Sequence, residues 1–273
     1  MAYLREPAPE YGQPAPVAQG VRRVVARNPG LMTYHGTNSY IVECPDALAI
    51  IDPGPDDADH VAALIAATGE RISLIILTHW HPDHMGATTA LQAATGAVTA
   101  GFHRFGAENF RPDILLEDGD TVAGLHAVHT PGHATDHLCF GRDDGLLFSG
   151  DHVMSWSSSV VPPPPLGNMA DYCAALERLL PREDVLYLPG HGPPLPKPQV
   201  YVAELLRHRV AREEEILAML RAEPREPPAL VELLYARREM RLRPAAERNV
   251  RSHLHKLEKE GRVRSEGDMW MAL

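Results

Sequence analysis

The sequence predicts a mixed α/β fold in which two β-sheets pack together with helices on their outer faces, followed by a small helical domain. Two observations support this prediction. Strand-like apolar runs and helical patterns alternate along the first 195 residues, an order that fits sheets covered by helices. The charge balance then changes, because residues 1–200 contain 11 Lys or Arg against 23 Asp or Glu, whereas residues 201–273 contain 15 against 13. We therefore expect two domains, at residues 1–195 and 200–273, joined by a proline-rich linker at 193–198.

The first domain alternates short apolar strands with amphipathic helices. Its strand-like runs are residues 21–27, 39–43, 47–51, 72–77, 98–101, 122–129, 137–140, 146–148 and 185–188. Between them, residues 57–68 place Val61, Leu64 and Ile65 at the i, i+3, i+4 spacing of one helix face, and Gly69 follows as a stop signal. Helical patterns at residues 87–95 and 169–180 complete the alternation.

The second domain is predicted to contain three helices and a terminal hairpin. The helical patterns are residues 200–221, 228–237 and 244–260, and Gly261 follows the third as a stop signal. Residues 262–271 fit a short hairpin. This order resembles a winged helix, which we expect either to cap the functional cleft or to support a homodimer.

Composition narrows the class of protein. The chain has 273 residues, 44% of them hydrophobic, and a net charge of −10. It contains no apolar run of 18 or more residues, so no membrane span is expected. The first twenty residues lack the apolar segment of a signal peptide, and the three scattered cysteines form no CxxC pair. We therefore expect a cytoplasmic protein, and the small positive excess of its tail argues against DNA binding.

Residues 78–84, Thr-His-Trp-His-Pro-Asp-His, contain the strongest functional signal. They place His79, His81, Asp83 and His84 directly after an apolar strand, and imidazole nitrogen and carboxylate oxygen are ligands that zinc prefers. In an extended segment His79 and His81 point the same way, because side chains alternate with a period of two. These two histidines can share one metal, and Asp83 and His84, beyond the proline turn, can serve a second.

Three further candidate ligands follow apolar runs downstream. They are His133 after Thr-Pro-Gly, Asp151 after Ser-Gly and His191 after Pro-Gly. A preceding glycine lets the backbone come close to a metal. We expect these loops to meet the first cluster at one end of the packed sheets.

The order of these seven residues resembles the signature of the metallo-β-lactamase superfamily, H-x-H-x-D-H followed by a distant His, Asp and His. The resemblance covers most of residues 20–195 and implies a four-layer αββα sandwich. It implies one metal on His79, His81 and His133, a second on Asp83, His84 and His191, and Asp151 as a bridge between them. It also implies two Zn²⁺ per chain, with iron or manganese as competing metals, and hydrolysis by a metal-bridging hydroxide. His81 favours zinc, because the iron-containing oxidoreductases of the superfamily have Glu at this position.

The C-terminal domain extends the resemblance to one branch of this superfamily. A winged helix after the sandwich is typical of the branch that includes a mitochondrial endoribonuclease and many bacterial hydrolases. Asn-Pro-Gly at 28–30, Gly-Thr-Asn-Ser-Tyr at 36–40 and Ala-Glu-Arg-Asn-Val at 246–250 fit the same branch.

Several residues near the motif have predicted roles of their own. Asp83 is the candidate for orienting the hydroxide and receiving its proton. Asp52, at the end of a strand, is either a partner that orients a metal-bound histidine or an Asp that closes a turn. Trp156, His137 and His152 are candidates for contact with the substrate.

The sequence leaves the substrate open. A small ester, thioester or lactone fits the chemistry, as does a phosphodiester in single-stranded RNA, and weak β-lactamase activity is a further alternative. The interval of 40 residues from Asp151 to His191 is too short for the inserted domain of dedicated nucleic-acid-processing relatives, which favours a small molecule. A function of another class, a metal-dependent DNA-binding regulator, is disfavoured by the intact ligand set.

Overall fold

The computed structural model of the protein describes residues 2–44, 48–236 and 239–273. Within these ranges the first sheet contains seven strands, which lie side by side in chain order. They are β1 (Ala15–Ala18), β2 (Val21–Val25), β3 (Asn38–Glu43), β4 (Leu48–Ile51), β5 (Ile72–Ile76), β6 (Val98–Phe102) and β7 (Ile114–Leu116). Neighbours from β1 to β4 pair antiparallel, and those from β4 to β7 pair parallel. Helix α1 (Ala58–Thr68) connects β4 to β5, and helices α2 (Pro82–Met85) and α3 (Thr88–Thr95) connect β5 to β6.

The second sheet contains six strands in the same described ranges, in the spatial order β13-β12-β11-β10-β9-β8. They are β8 (Thr121–Val122), β9 (Leu125–His129), β10 (Leu138–Arg142), β11 (Leu146–Gly150), β12 (Leu186–Pro189) and β13 (Leu195–Pro196). Strands β11 and β12 pair parallel across helix α4 (Met169–Leu179), and the other neighbours pair antiparallel.

The two sheets pack face to face around one apolar core, to which Tyr40, Ile51, Ile76, Phe140 and Phe148 contribute. A second core lies between the first sheet and helices α1 and α3. A third lies between the second sheet, helix α4 and the first half of helix α5 (Pro198–Ala222). The chain therefore forms the predicted αββα sandwich, with helices outside both sheets.

The C-terminal domain has its own apolar core. It is built from the second half of α5, helices α6 (Pro227–Leu234) and α7 (Arg243–Lys259), and the hairpin β14 (Val263–Glu266) and β15 (Met269–Ala272). A short 3-10 helix at Met240–Leu242 precedes α7. Three helices and a hairpin confirm the predicted winged helix. No helix in the described part of the chain is both long and apolar enough to cross a membrane.

Helix α5 belongs to two cores. Tyr201, Val202 and Leu205 in its first half pack with the sandwich, whereas Ile216 and Leu217 in its second half pack with the winged helix. The stretch at 193–198, predicted to be a linker, instead contains β13 and begins α5 at Pro198. Packing is therefore continuous across the predicted boundary between the domains.

The remaining differences from the predicted elements have local causes. The strand predicted at 122–129 is two strands, because Ala123 and Gly124 adopt φ values of 50° and 75° and turn the chain into a hairpin. Strands β1, β7 and β13 were not predicted, since two to four residues are too few to display alternation. The strand predicted at 47–51 begins at Ala47, which lies outside the described ranges. The helix predicted at 228–237 ends at Arg237, which also lies outside them.

Candidate metal centre

The predicted ligands lie in loops, and for Asp83 and His84 in the short helix α2, at one edge of the sandwich. Residues 78–84 follow β5, and Asp52 follows the neighbouring parallel strand β4. In the second sheet, Asp151 follows β11, His191 follows β12, and His133 lies in the loop between β9 and β10. Loops that follow the carboxyl ends of parallel strands gather at the same edge, where open α/β sheets form their binding sites.

The structure brings all seven predicted ligands together. Their ligand atoms form three overlapping groups, in each of which the atoms lie within 4.8 Å of one another. The groups are His79, His81 and His133; Asp83, His84 and His191; and His79, His84 and Asp151. The first two groups are the two sets that the sequence analysis assigns to separate metals, and the third joins them.

Three imidazoles converge in the first group. Nδ1 of His81 lies 3.0 Å from Nε2 of His79 and 2.9 Å from Nε2 of His133. A ring nitrogen has either one proton or one lone pair, so it cannot make a well-aligned hydrogen bond in both directions. The convergence is better explained by a cation that accepts all three lone pairs.

Asp151 faces both groups. Its Oδ1 lies 3.5 Å from Nε2 of His84 and from Nε2 of His191, and its Oδ2 lies 3.6 Å from Nε2 of His133. Oδ1 is buried and has no hydrogen-bond partner in the part of the chain described. A buried carboxylate oxygen without a donor is costly, and a cation would satisfy it.

The backbone fixes the protonation of two of the histidines. Nδ1 of His133 lies 2.6 Å from the carbonyl oxygen of Val160, and Nδ1 of His191 lies 3.2 Å from that of Gly36. A carbonyl oxygen only accepts, so each Nδ1 holds the proton and donates it. In the neutral form of both rings, the inward Nε2 therefore presents a lone pair to the group.

Asp52 fixes the protonation of two more. Its Oδ2 lies 2.8 Å from Nδ1 of His84 and accepts from the hydroxyl of Thr78 at 2.7 Å. Because Thr78 donates its only proton to Asp52, its oxygen accepts from Nδ1 of His79, 2.9 Å away. In the neutral rings, Nε2 of His84 and of His79 therefore also presents a lone pair inward, and Asp52 lies where an orienting partner of metal-bound histidines is needed.

The electrostatics of the groups match this arrangement. Burial and neighbouring imidazoles hold the pKa of His79 well below its usual value, and burial lowers the pKa of His81 to about 3. Burial would raise the pKa of Asp83 and of Asp151, but the His84 and His191 imidazoles outweigh it and hold both carboxyls ionised. Burial would lower the pKa of His84, yet the surrounding carboxylates hold it well above the usual value. The site thus attracts positive charge.

The donor set fits two divalent cations. Neutral imidazoles and ionised carboxylates are the forms that coordinate a metal, and the lowered pKa values of His79, His81 and His133 keep these rings neutral. The pKa values of His84 and His191 are raised, so a cation would displace the inward proton of these two rings. Gly190 leaves the space for this approach, since a Cβ there would lie 2.6 Å from Cε1 of His84 and 2.7 Å from Oδ1 of Asp151. A groove of about 860 Å³ beside α1 is lined by none of the seven ligands.

Two of the predicted substrate contacts do not fit the structure. His137 is fully buried, its Nδ1 bonds the hydroxyl of Thr130 at 2.9 Å, and its Nε2 accepts from the backbone N–H of Asp151 at 3.1 Å. Both ring nitrogens are used, so His137 positions Asp151 rather than a substrate. His152 is also fully buried, with its ring 4.7 Å from that of Tyr172, which leaves no surface for a substrate.

Trp156, the third predicted substrate contact, has an accessible position. Its ring stacks on that of Tyr34 with centroids 5.0 Å apart, and it lines a cavity between the sandwich and the C-terminal domain. Contact with a substrate stays a prediction for this residue.

The sequence analysis misses two asparagines that hold the ligand loops. Nδ2 of Asn38 donates to the carbonyls of Pro189 and Gly192, at 2.8 and 2.9 Å, on either side of His191. Oδ1 of Asn249 accepts from the backbone N–H of Val161 at 2.9 Å. Both asparagines lie in motifs at 36–40 and 246–250 that the sequence singles out, but the motifs alone do not reveal these contacts.

Comparison with known proteins gives matches over both domains. A family model described as the Metallo-beta-lactamase superfamily matches residues 32–191, and one described as the Beta-lactamase associated winged helix domain matches residues 227–270. The Beta-lactamase-like protein 2 homolog of Drosophila melanogaster is 31% identical over 270 residues, which cover 91% of this chain and 91% of that protein.

Two further relatives bear on the chemistry. Atrochrysone carboxyl ACP thioesterase dmxR1 of Cryptosporiopsis sp. (strain 8999) is 31% identical over 212 residues, covering 75% of this chain and 64% of that protein. TTHA1623, solved in a di-iron-bound form, superposes with a TM-score of 0.55 at 28% identity, covering 66% of this chain and 96% of its own.

Proposed function

Because the chain belongs to the metallo-beta-lactamase superfamily, we propose that it is a dinuclear zinc hydrolase that cleaves an ester or thioester of a small molecule. The observation that most supports this is that two groups of inward-facing imidazole nitrogens and carboxylate oxygens meet at Asp151. In this proposal one zinc is held by His79, His81 and His133, the other by Asp83, His84 and His191, and Asp151 binds both.

Two bound zinc ions would supply an activated water and polarise the scissile carbonyl. Asp83 is suited to orient that water, because 32% of its side chain is exposed whereas only 9% of the Asp151 side chain is. Its low pKa keeps it ionised at neutral pH, so it accepts a hydrogen bond from the water and then its proton. The water oxygen bonds to the acyl carbon, the C–O or C–S bond breaks, and the leaving group takes the proton.

Zinc is proposed over iron on the ligand chemistry. The first group offers three imidazole nitrogens and no carboxylate, a donor set that is common for zinc. TTHA1623 was solved with two irons, so a related sandwich can hold that metal. Elemental analysis of the purified protein should give two zinc ions per chain, and two irons would contradict this part of the proposal.

A small-molecule substrate is proposed over RNA. The basic side chains of the C-terminal domain are mostly paired with carboxylates: Arg251 with Glu247 and Asp268, Arg264 with Glu266, and Arg262 with Glu214. Paired cations have little charge left for phosphates, on which nucleic-acid affinity depends. The name of the relative from Cryptosporiopsis, an ACP thioesterase, supports a thioester as the first substrate to test.

The cytoplasm is the proposed location. Cys44, Cys139 and Cys173 are free thiols, as expected for a reducing compartment.

The test compares three substrates with the zinc-loaded protein: an acyl N-acetylcysteamine thioester, the matching oxygen ester and a single-stranded RNA oligonucleotide. We expect the thioester or ester to be hydrolysed, and Asp83→Asn to lower the rate by about 10²- to 10⁴-fold. Elemental analysis of each sample separates a loss of chemistry from a loss of zinc. Asp143→Asn, at a carboxylate that is 90% exposed, is the control. Cleavage of RNA alone, abolished by Asp83→Asn, would replace the proposal with an endoribonuclease, and turnover of none of the three would overturn it.

A further inference from the structure

A cavity of about 130 Å³ lies where the sandwich meets the C-terminal domain. Its walls come from the N-terminal segment, from the loop between β2 and β3, from the loop after β11, and from helices α5, α6 and α7 with the segment before α7. The two domains therefore form it jointly.

The lining of this cavity is basic, although the chain as a whole has a net charge of −10. It includes Arg209, Arg212 and Arg243 and, in the part of the chain described, no Asp or Glu. Outside the lining, Arg212 pairs with Glu215 at 2.8 Å and Arg243 with Glu232 at 3.6 Å. Arg209 is only 3% exposed and donates to two neutral acceptors, the carbonyl of Ser159 and the side-chain oxygen of Asn249. A buried guanidinium with neutral partners favours a negatively charged occupant.

Unsatisfied donors surround the same space. Nε1 of Trp156, Nε of Arg209 and Nε of Arg212 are buried N–H groups without a hydrogen-bond partner among the described residues, and Nδ1 of His208 is likewise unpaired. Buried polar groups in folded proteins nearly always have a partner. Several donors without one, all in residues that line one cavity, indicate that the partner is a ligand with acceptor atoms.

The rest of the lining is apolar and aromatic. It includes Tyr3, Leu31, Met32, Trp156 and Leu242, and Leu31 and Met32 are 46% and 45% exposed. The volume is close to the roughly 150 Å³ of a cavity that holds one benzene molecule. The occupant must therefore combine a ring-sized apolar body with a negatively charged group.

The cavity borders the candidate metal centre. Val160 lines it, and the carbonyl of Val160 accepts from Nδ1 of His133 at 2.6 Å. Trp156, on the same wall, packs against the backbone beside His191, since a Cβ on Gly192 would lie 2.5 Å from its ring. None of the seven ligands lines the cavity, so a substrate bound at the metals would reach it past Trp156 and Val160.

We propose that the cavity is a subsite for a carboxylate-bearing, ring-sized acyl group of the substrate, bound through Arg212 and Arg243; this rests on the hydrolase function proposed above. The carboxylate pairs with the guanidinium groups and accepts from the unpaired N–H donors, and the ring packs on Trp156 and Leu31. A polynucleotide fits less well, because the space holds one ring.

The test is a ligand-observed ¹⁹F NMR titration of the zinc-loaded protein with 4-fluorobenzoate and with the neutral isostere 4-fluorobenzamide. We expect the benzoate to bind at least 10-fold more tightly than the amide. Arg212→Gln and Arg243→Gln should each reduce this preference by about 10-fold. Arg207→Gln is the matched control, because Arg207 lies on the same helix, is 73% exposed and does not line the cavity. The two cavity variants are independent, so one that fails to fold leaves the other as the test.

Three results would overturn the subsite. They are equal binding of benzoate and amide, unchanged benzoate affinity in both cavity variants, and displacement of benzoate only by a single-stranded oligonucleotide. The titration requires no turnover, so it separates the two proposals. Arginine-dependent benzoate binding without hydrolysis of any ester or thioester would keep the subsite and reject the hydrolase. Hydrolysis without such binding would keep the hydrolase and reject the subsite.

A kinetic arm uses N-acetylcysteamine thioesters of 4-carboxybenzoate and 4-carbamoylbenzoate. We expect Arg212→Gln to raise KM for the charged thioester by about 10-fold and to leave KM for the neutral one within about twofold. Equal changes for both thioesters would mean that the arginine has only a structural role.

Discussion

Asp52 contacts both halves of the candidate metal centre. One carboxylate oxygen accepts from Nδ1 of His84 and from the hydroxyl of Thr78, and that hydroxyl in turn accepts from His79. Asp52 also adopts a φ of 52°, which is uncommon for a residue with a side chain. Such strain persists only where surrounding contacts hold it, and it clusters at functional sites.

Asp52→Asn should weaken metal binding while the fold is retained. The amide nitrogen of Asn donates toward His84, so the ring turns its proton inward and loses the lone pair that faces the group. We expect zinc affinity to fall by about 10- to 100-fold, measured by competition with a chelator. Asp143→Asn provides the matched control, because Asp143 is 90% exposed and pairs with the exposed His126 at 2.8 Å rather than with a candidate ligand. Unchanged zinc affinity in Asp52→Asn would show that the tautomer of His84 is fixed by other contacts.

Asp136 is a buried carboxyl that affects stability rather than chemistry. Burial raises its pKa to about 7, although the backbone N–H of Gly106 donates to it at 2.9 Å. Because this value lies above the ordinary 3.8, the folded protein keeps a proton between pH 4 and pH 7 that the unfolded chain releases. The stability that Asp136 contributes is therefore complete below pH 4 and is lost as the pH rises through 7.

Asp136→Asn should remove this loss. The free energy of unfolding of the parent protein should fall by about 2–3 kcal/mol more than that of the variant between pH 5 and pH 8. Urea unfolding at the two pH values measures the difference, and other titrating groups cancel because both proteins share them. Parallel pH profiles would mean that Asp136 is ionised in the folded protein at pH 5.

At the scale of residues, the ligands are predictable from the sequence and their supports are not. His79, His81 and Asp83 stand out because few residue types bind zinc and their spacing is fixed. The acceptors that orient the histidines include the carbonyls of Val160 and Gly36, and every residue has a carbonyl, so no residue type marks them. His137 was misassigned for the same reason, since its partners appear only when the chain is folded.

At the scale of elements, the loop after β11 connects the metal centre to the C-terminal helices. The carbonyl of Val160 accepts from His133, and the next backbone N–H, of Val161, donates to Asn249 on α7. Arg209 on α5 donates to the carbonyl of Ser159 at 2.5 Å. This loop segment is therefore fixed between a candidate ligand and two helices of the other domain.

Asn249→Ala should disturb the site from a distance. It leaves the buried N–H of Val161 without an acceptor, at a cost of about 1–3 kcal/mol in the free energy of unfolding. It also frees the carbonyl that orients His133, so we expect a lower zinc affinity and a rate of hydrolysis about 10-fold lower. Arg248→Ala, at the exposed neighbouring residue, controls for the change to α7. Asn249→Asp keeps the acceptor and should restore zinc affinity; failure of this rescue would limit Asn249 to a packing role.

The order of the elements was predictable because apolar periodicity recurs over many residues. Turns were harder to predict from the sequence. The reversal at Ala123 depends on a positive φ at a residue type that has no special preference for it. The motif around Asn249 was visible, but its partner is 88 residues away in sequence, beyond the reach of any local pattern.

At the scale of the whole molecule, helix α5 makes the two domains one cooperative unit. Its halves are buried in different cores, and no break in the helix separates them. We therefore expect one unfolding transition in urea, with the same midpoint by circular dichroism and by tryptophan fluorescence.

Val210→Pro should separate the two cores. Val210 lies between the two buried halves of α5 and is 53% exposed, so the substitution affects the backbone of the helix more than its packing. Proline in a helix interior costs about 3 kcal/mol or more, and we expect two transitions in place of one. Val210→Ala should keep the single transition. A single transition in Val210→Pro as well would mean that contacts other than α5 couple the domains.

The sequence could not reveal this arrangement. The change in charge balance and the prolines at 193–198 favour a linker, because both are common between domains. Apolar residues recur along all of α5, and the same pattern serves a helix buried in one core or in two. Which core each half faces is decided by the elements that pack against it.

The continuity of α5 also limits how such a protein can be recombined during evolution or by design. A crossover at the proline stretch would take the whole of α5 with the incoming domain, and with it Tyr201, Val202 and Leu205, which cover the second sheet. A donor whose first helix lacked a matching apolar face would leave that sheet uncovered. The exchangeable unit is therefore the part of the chain after the middle of α5, and a chimera joined near Val210 should be the one that expresses.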